Sequence, residues 1–342
     1  MRILNIPAQP NAICEESTGY FFLPAIRHLR NLHLLERPYT TWTEAERTEL
    51  RILFQECFDK LQSHLGKAQA AGKIAVVKEH CPFMTEPVAF MKFTSSLEEA
   101  GSITDKPWKV QLPRDLYLSL EKEDEAEEGK GDISAGVVSN DTVLPDVFLL
   151  AWQPTFLIRH PVVVIPSYYR VFNTFRNGDP GEMGKVRGQL DRTMTLTWTR
   201  RLYDWYMSKW NQRHRQDGGC GESRARPIIL DADDIIASPE TVRKYCRLVG
   251  LDETKLQFEW EPLSEEGLEK VAQTQPSQLR MRDTLFASTG IRVDKVAGSL
   301  DLETEVAKWK EEFGEEEGLL LKTWVLEAMP DYLYLRSKRL VM

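Results

Sequence analysis

The stretch Thr155-Phe-Leu-Ile-Arg159-His-Pro161-Val-Val-Val-Ile-Pro-Ser167-Tyr-Tyr169-Arg-Val-Phe172 decides how the chain is read. Phe156-Leu-Ile158 is a short apolar run of strand type, and it breaks at Arg159-His-Pro161. Apolar side chains at helical spacing resume from Val162 to Phe175, so the stretch predicts a strand that turns sharply into a helix. The first N–H groups of a helix lack internal partners and lie at the positive end of its dipole, which suits an anion. Arg159 lies at the turn, and Ser167 follows eight positions later, two turns into the helix.

Two further strand-like segments frame this one. Lys73-Ile-Ala-Val-Val-Lys78-Glu-His80 is short and β-branched, and Cys81-Pro82-Phe83-Met84 turns away from it. Pro227-Ile-Ile-Leu-Asp231 is the other. Helical patterns lie between them. Thr43-Glu-Ala-Glu46 forms a capping box ahead of Leu50, Leu53, Phe54, Cys57, Phe58 and Leu61, a pattern that runs out near Gly66 to Gly72. A long amphipathic helix is expected over Leu190 to Arg213, with Trp198, Leu202, Trp205, Tyr206 and Trp210 as a stripe read as core packing. Ser238-Pro-Glu240 opens another helix, Val242, Tyr245, Cys246 and Val249 face inward, and Gly250 closes it. Strands alternating with helices give an α/β fold with a mainly parallel sheet. The C-terminal part, residues 300–342, is expected to be helical around Val306 to Met329 with an aromatic end at Tyr332-Leu-Tyr334. Residues 119–135 carry the run Glu121-Lys-Glu-Asp-Glu-Ala-Glu-Glu128 and read as a disordered, solvated acidic loop within a single domain spanning 1–342. Arg2-Ile-Leu-Asn-Ile6 reads as the last turn of a helix closed by Pro7, and the apolar run Tyr20 to Ile26 must be buried or paired.

Composition bounds the function. The 342 residues are 42% hydrophobic and 28% charged, ordinary for a soluble globular chain. A formal charge of −8 argues against nonspecific nucleic-acid binding, which runs on excess Lys and Arg. No apolar run approaches the roughly 18 residues of a membrane helix, and no secretory pattern is visible at the N-terminus. Five scattered cysteines form no CxxC pair and no zinc-type cluster, so a reduced, cytoplasmic protein with no bound metal is expected. Asn140-Asp-Thr142 is a glycosylation sequon by pattern only. No feature sets an oligomeric state.

The standard catalytic constellations are absent: there is no Gly-x-Ser-x-Gly elbow, no His-Glu-x-x-His and no complete Rossmann glycine fingerprint. Gly181-Glu-Met-Gly184-Lys185 has the wrong spacing for a phosphate loop. Two strand ends remain. Ligands of open α/β sheets bind outside the carboxyl ends of strands. A His there suits a general base near neutral pH, and a Lys two residues earlier points to the same side of a strand. Taken singly, a strand-end His is more often structural, and an Arg at a strand end often caps neighbouring carbonyls.

Together the two ends resemble the sulfotransferase superfamily: Lys78-Glu-His80-Cys-Pro82, then Arg159-His-Pro161 leading to Ser167-Tyr-Tyr169. Asp231-Ala-Asp-Asp234 with Ser238-Pro239 and Val249-Gly-Leu-Asp252 resembles that family's next strand and helix, and the chain as a whole is similar to sulfotransferase-like proteins of filamentous fungi. The resemblance implies a P-loop-type three-layer sandwich. It implies 3′-phosphoadenosine 5′-phosphosulfate as sulfonate donor, a small-molecule acceptor of the secondary-metabolite kind, and no metal. It also implies His80 as the base that takes the acceptor's proton, Lys78 as a stabiliser of negative charge, and Arg159 with Ser167 as holders of the 3′-phosphate. The family's first strand and its phosphosulfate loop find no match, as though the chain started about one strand, one loop and half a helix late. Ala232 stands where many members have a Tyr. Arg280 and Arg282 lie in the region of a further phosphate contact without matching its motif. Two other readings stay open: a repurposed biosynthetic enzyme that keeps His80 for proton transfer, cyclisation or dehydration, and a non-catalytic remnant.

Overall fold

The structure, a computed structural model, describes residues 2–14, 20–114, 116, 138–174, 190, 193–216, 226–274, 279, 284–293, 296–298 and 300–342. The acidic run 121–128, Gly181 to Lys185, Arg280 and Arg282 lie outside the described residues. In chain order the elements are β1 (Ala12–Cys14), α1 (Leu23–Asn31), α2 (Glu44–Ala70), β2 (Ile74–Val76), α3 (Cys81–Met84), α4 (Pro87–Thr94), α5 (Leu97–Ser102), α6 (Asp146–Leu150) and β3 (Thr155–Ile158). Then come α7 (Pro161–Thr174), α8 (Thr197–Gln216), β4 (Ile228–Asp231), α9 (Ala232–Ala237), α10 (Pro239–Leu248), α11 (Glu265–Thr274), α12 (Leu302–Phe313) and α13 (Glu315–Ser337). The class is α/β, mostly helical, with two two-stranded sheets among the described residues, β1–β2 and β3–β4. The chain divides into two compact units: one of Met1–Pro10, Leu157–Thr195 and Ile229–Met342, the other of Asn11–Phe156 and Leu196–Ile228.

In the second unit, β1 and β2 pair in parallel, with Ala12 beside Ile74 and Cys14 beside Val76. β1 is only the three residues Ala12-Ile-Cys14, too short for its sequence to announce it. β2 is shorter than the expected Lys73–His80: it ends at Val76, and Ile74 is exposed rather than buried, because its only partner strand among the described residues is the equally short β1. α2 starts as its sequence requires. The Thr43 hydroxyl accepts from the Glu46 N–H at 3.2 Å, and the Glu46 carboxylate accepts from the Thr43 N–H at 2.7 Å. Its apolar face, Leu50, Phe54, Cys57, Phe58 and Leu61, is buried. Four of the five stripe residues of α8 are core, with Trp198, Leu202, Trp205 and Tyr206 buried and Phe90 stacked on Trp198, while Trp210 is only partly buried beneath Arg226. Asn140 is buried, and its amide donates to the Leu144 carbonyl at 2.7 Å and to Asp146 at 2.9 Å, so the sequon is spent on folding.

In the first unit, β3 leads through Arg159-His160 into α7, as the opening stretch predicts. Val162, Ile165 and Tyr169 of α7 pack against Trp309 of α12 and Leu321, Trp324, Val325 and Ala328 of α13. The helix expected around Val306 to Met329 is two helices, broken at Gly314, whose φ of +103° a side-chain-bearing residue rarely adopts. Of the aromatic end, Tyr332 lies within α13 and is fully buried, while Leu333 is exposed and Tyr334 partly buried. Arg2 to Asn5 form turns, and Pro7 sits inside a short 3-10 segment, Ile6–Ala8, that it helps to start. The expected last helical turn is replaced by a turn closed by the Asn5 N–H on the Arg2 carbonyl at 3.0 Å, with Asn5 left-handed at φ 45°.

α12 and α13 cross closely at Gly318, where an added Cβ would lie 2.8 Å from the Lys310 backbone nitrogen and 2.9 Å from its Cα. Backbone cannot swing aside as a side chain can. Gly318→Val is therefore expected to lower stability by about 1–3 kcal/mol through overpacking, read as a drop in the thermal midpoint. An unchanged midpoint would show that the crossing has slack.

Candidate functional site

Lys78, Glu79 and His80 leave β2, and Tyr20 follows β1 after residues 15–19. Because β1 and β2 run parallel in register, both segments emerge at the same end of the sheet. There the Tyr20 ring stacks on the His80 imidazole, with centroids 4.7 Å apart and planes 11° from parallel. Phe83, on α3, meets the imidazole edge-on at 4.8 Å. The Lys78 Nζ lies 4.9 Å from the centroid of the same Tyr20 ring. Lys78 and His80 are thus brought together on one aromatic ring.

Glu79 ties the two segments covalently remote from each other. Its Oε2 accepts from the Phe22 N–H at 3.1 Å and its Oε1 from the His80 N–H at 3.0 Å. Burial raises its pKa to about 7, against the lowering effect of the Phe22, His80 and Phe21 N–H groups and of Lys78. A native pKa above the unfolded one gives a stability contribution that is full below about 4.5 and is lost as pH rises through 7. His80 shifts the other way: desolvation, then the Lys78 and Arg30 cations, hold its pKa below the ordinary imidazole value. An edge of His80 stays exposed, which moderates that effect and leaves the ring accessible. Such an environment keeps the His80 imidazole neutral at neutral pH. Cys81 beside it is no rival nucleophile, since burial pushes its thiol up to about 11.

Arg159 and Ser167 belong to the other unit. Arg159 is half-buried at the β3–α7 turn, and burial lowers its pKa while the Asp233 carboxylate opposes that. Ser167 is exposed on α7. Between Arg159 and Pro161, the His160 Nδ1 accepts from the Val162 N–H at 3.2 Å. This caps one of the helix-start donors that the sequence offers to an anion, and it fixes His160 as the Nε2–H tautomer. Burial depresses its pKa, in keeping with that role. Tyr169 of the Tyr-Tyr pair is core. An open hollow of about 420 Å³ elsewhere in this unit, lined by Arg2, Asn5, Pro7, Gln257, Trp260 and Glu261, contains none of the four residues singled out from sequence.

Two curated relatives match along nearly the full length. One, named Sulfotransferase ppzF, from Metarhizium rileyi (strain RCEF 4871), is 37% identical over 344 positions, covering 99% of this chain and 92% of the relative. The other, of the same name, from Metarhizium majus (strain ARSEF 297), is 36% identical over 346 positions with the same coverage. The chain belongs to the sulfotransferases. The family resemblance drawn from Lys78, His80, Arg159 and Ser167 is thereby borne out at the level of the family, while no family model and no solved structure matches. Among the described residues no helix of this sulfotransferase is long and apolar enough to cross a membrane.

Sequence reasoning missed Tyr20, Glu79 and Arg30 around His80. It also missed Asp233 near Arg159. Tyr20 had one usable signal, its place in an apolar run that had to be buried or paired.

Proposed function

We propose that this sulfotransferase moves a sulfonate from 3′-phosphoadenosine 5′-phosphosulfate to a hydroxyl of a small molecule on a P-loop-type sulfotransferase scaffold. The observation that carries the reading is His80: a neutral, accessible imidazole with the Lys78 ammonium on the same aromatic ring. The donor supplies an activated sulfonate on a phosphosulfate anhydride. His80 accepts the proton of the acceptor hydroxyl. Lys78 offsets negative charge where the sulfonate leaves its phosphate. Arg159 and Ser167 fit an anion such as the 3′-phosphate, a guanidinium and an exposed hydroxyl on one strand-turn-helix. Positioning and charge stabilisation supply most of the rate in such transfers. The setting proposed is secondary metabolism in the cytoplasm. Incubation with labelled donor and a panel of phenols is expected to give labelled sulfate ester. No labelled product from any acceptor would overturn the reading.

A second reading has a specific observation in its favour. His160 already satisfies the Val162 N–H, and the Asp233 carboxylate shares the charge of Arg159, so the anion half is partly committed internally. His80 would then serve proton transfer without the donor. Calorimetric binding of 3′-phosphoadenosine 5′-phosphate excludes this alternative, and no binding favours it.

A further inference from the structure

We propose that Tyr20 is the positioning residue of this site, its single ring holding the His80 imidazole face to face while keeping the Lys78 ammonium beside it. The proposal rests on the sulfonate-transfer reading for its kinetic consequence, though not for its structural one. β2 ends at Val76, so the regular alternation that would aim Lys78 and His80 is lost before either residue is reached. Something other than strand geometry must orient them. The parallel register of β1 and β2 delivers Tyr20 to the same end of the sheet. Its ring lies 4.7 Å from that of His80 at 11°, and 4.9 Å from the Lys78 Nζ. Phe83 closes the arrangement edge-on to both rings, at 4.8 Å from His80 and 6.1 Å from Tyr20. Glu79 pins the backbone on either side, joining the Phe22 N–H to the His80 N–H. A neutral imidazole stacked on one face presents its nitrogens in the plane of the ring, where a hydroxyl proton is received. Among the described residues, Lys78 and Arg30 act electrostatically on His80, and Glu79 acts on the buried Cys57 and Cys81 thiols.

The test compares Tyr20→Phe, which keeps the ring, with Tyr20→Leu, which stays apolar but is too small to cover the imidazole face. The first readout is the titration of the His80 imidazole followed by NMR in the full chain, with His80→Gln used to assign its signal. In Tyr20→Leu the His80 pKa is expected to rise by about one unit toward the ordinary value, as water reaches the uncovered face. In Tyr20→Phe it is expected to stay at the wild-type value. An unchanged titration in Tyr20→Leu, or the same rise in both variants, overturns the proposal. This readout needs no turnover, so it decides the role of Tyr20 even if sulfonate transfer is absent. The second readout is kinetic, with labelled donor and the best phenol of the panel. Tyr20→Leu should lower kcat by about 10²-fold with little change in KM, the scale expected for a reacting group misplaced by about an ångström, and Tyr20→Phe should restore it. A Tyr20→Leu enzyme with wild-type kcat rejects the kinetic role. A KM effect alone assigns Tyr20 to acceptor binding and rejects positioning.

Discussion

His80→Ala is expected to reduce kcat for sulfonate transfer by about 10²–10⁴-fold, the usual worth of a positioned general base. Stability should change little, since the ring keeps an exposed edge and its partners Tyr20 and Phe83 can close over the gap. The pH profile sharpens the test. A base must be unprotonated to act, and desolvation with Lys78 and Arg30 holds His80 below its ordinary pKa. The acid limb of kcat is therefore expected below pH 6.5, the ordinary imidazole value, rather than at it. Glu79 enters with the opposite sign. Its pKa near 7 means that it gains charge as pH rises through neutrality, next to a backbone link that holds the site together. Glu79→Gln keeps an oxygen acceptor and removes that titration. A wild-type rate in His80→Ala would exclude His80 as the base, and an acid limb at or above 6.5 would contradict the environment drawn for it.

Much of the local fold was legible in the sequence, the surroundings of the candidate site less so, and the reasons are physical. Local rules carried α2, because a capping box is a contact between residues three apart. They carried the turn from β3 into α7, where Pro161 can open a helix but cannot continue a strand. The stripe of α8 was readable as core because helical spacing alone puts Trp198, Leu202 and Trp205 on one face. Failures came where a distant partner decides. β1 is three residues long and exists through its pairing with β2, some 60 residues on. Tyr20 reaches His80 only through that pairing. The break at Gly314 depends on a backbone angle that a glycine permits but does not announce. The start of α7 looked more open to an anion in the sequence than it is in the fold, since nothing in the order of residues says that the His160 ring turns back to cap Val162.

Asp231→Ala is the substitution expected to cost most in stability, about 3–5 kcal/mol, the usual consequence of breaking a buried charged network from one side. Asp231 closes β4. Buried, its carboxylate does three things at once. Oδ1 accepts from the Asp233 N–H at 3.0 Å and caps α9, Oδ2 accepts from the Tyr332 O–H at 2.8 Å, and the Arg336 Nε lies 3.5 Å away. Tyr332 and Arg336 both belong to α13, so one residue fastens the C-terminal helix to the strand. Burial and the bond to Asp231 push the Tyr332 pKa up, so the phenol stays a donor. The cap is worth about 1 kcal/mol, and a buried phenol left without its acceptor costs about 1–3 kcal/mol. Arg336 is partly exposed, and its loss adds little. Tyr332→Phe should therefore cost less, about 1–3 kcal/mol, because Asp231 keeps the Asp233 N–H and Arg336. Asp231→Asn retains one oxygen, enough for the cap or for Tyr332 but not for both, and should fall between wild type and alanine. Urea unfolding of the three variants orders them, and the Asp231→Ala, Tyr332→Phe double variant should show coupling of about 0.5–3 kcal/mol. Additive losses, or an Asp231→Ala midpoint equal to wild type, would mean that α13 is held by the Trp309–Trp324 core alone and that the carboxylate is incidental to it.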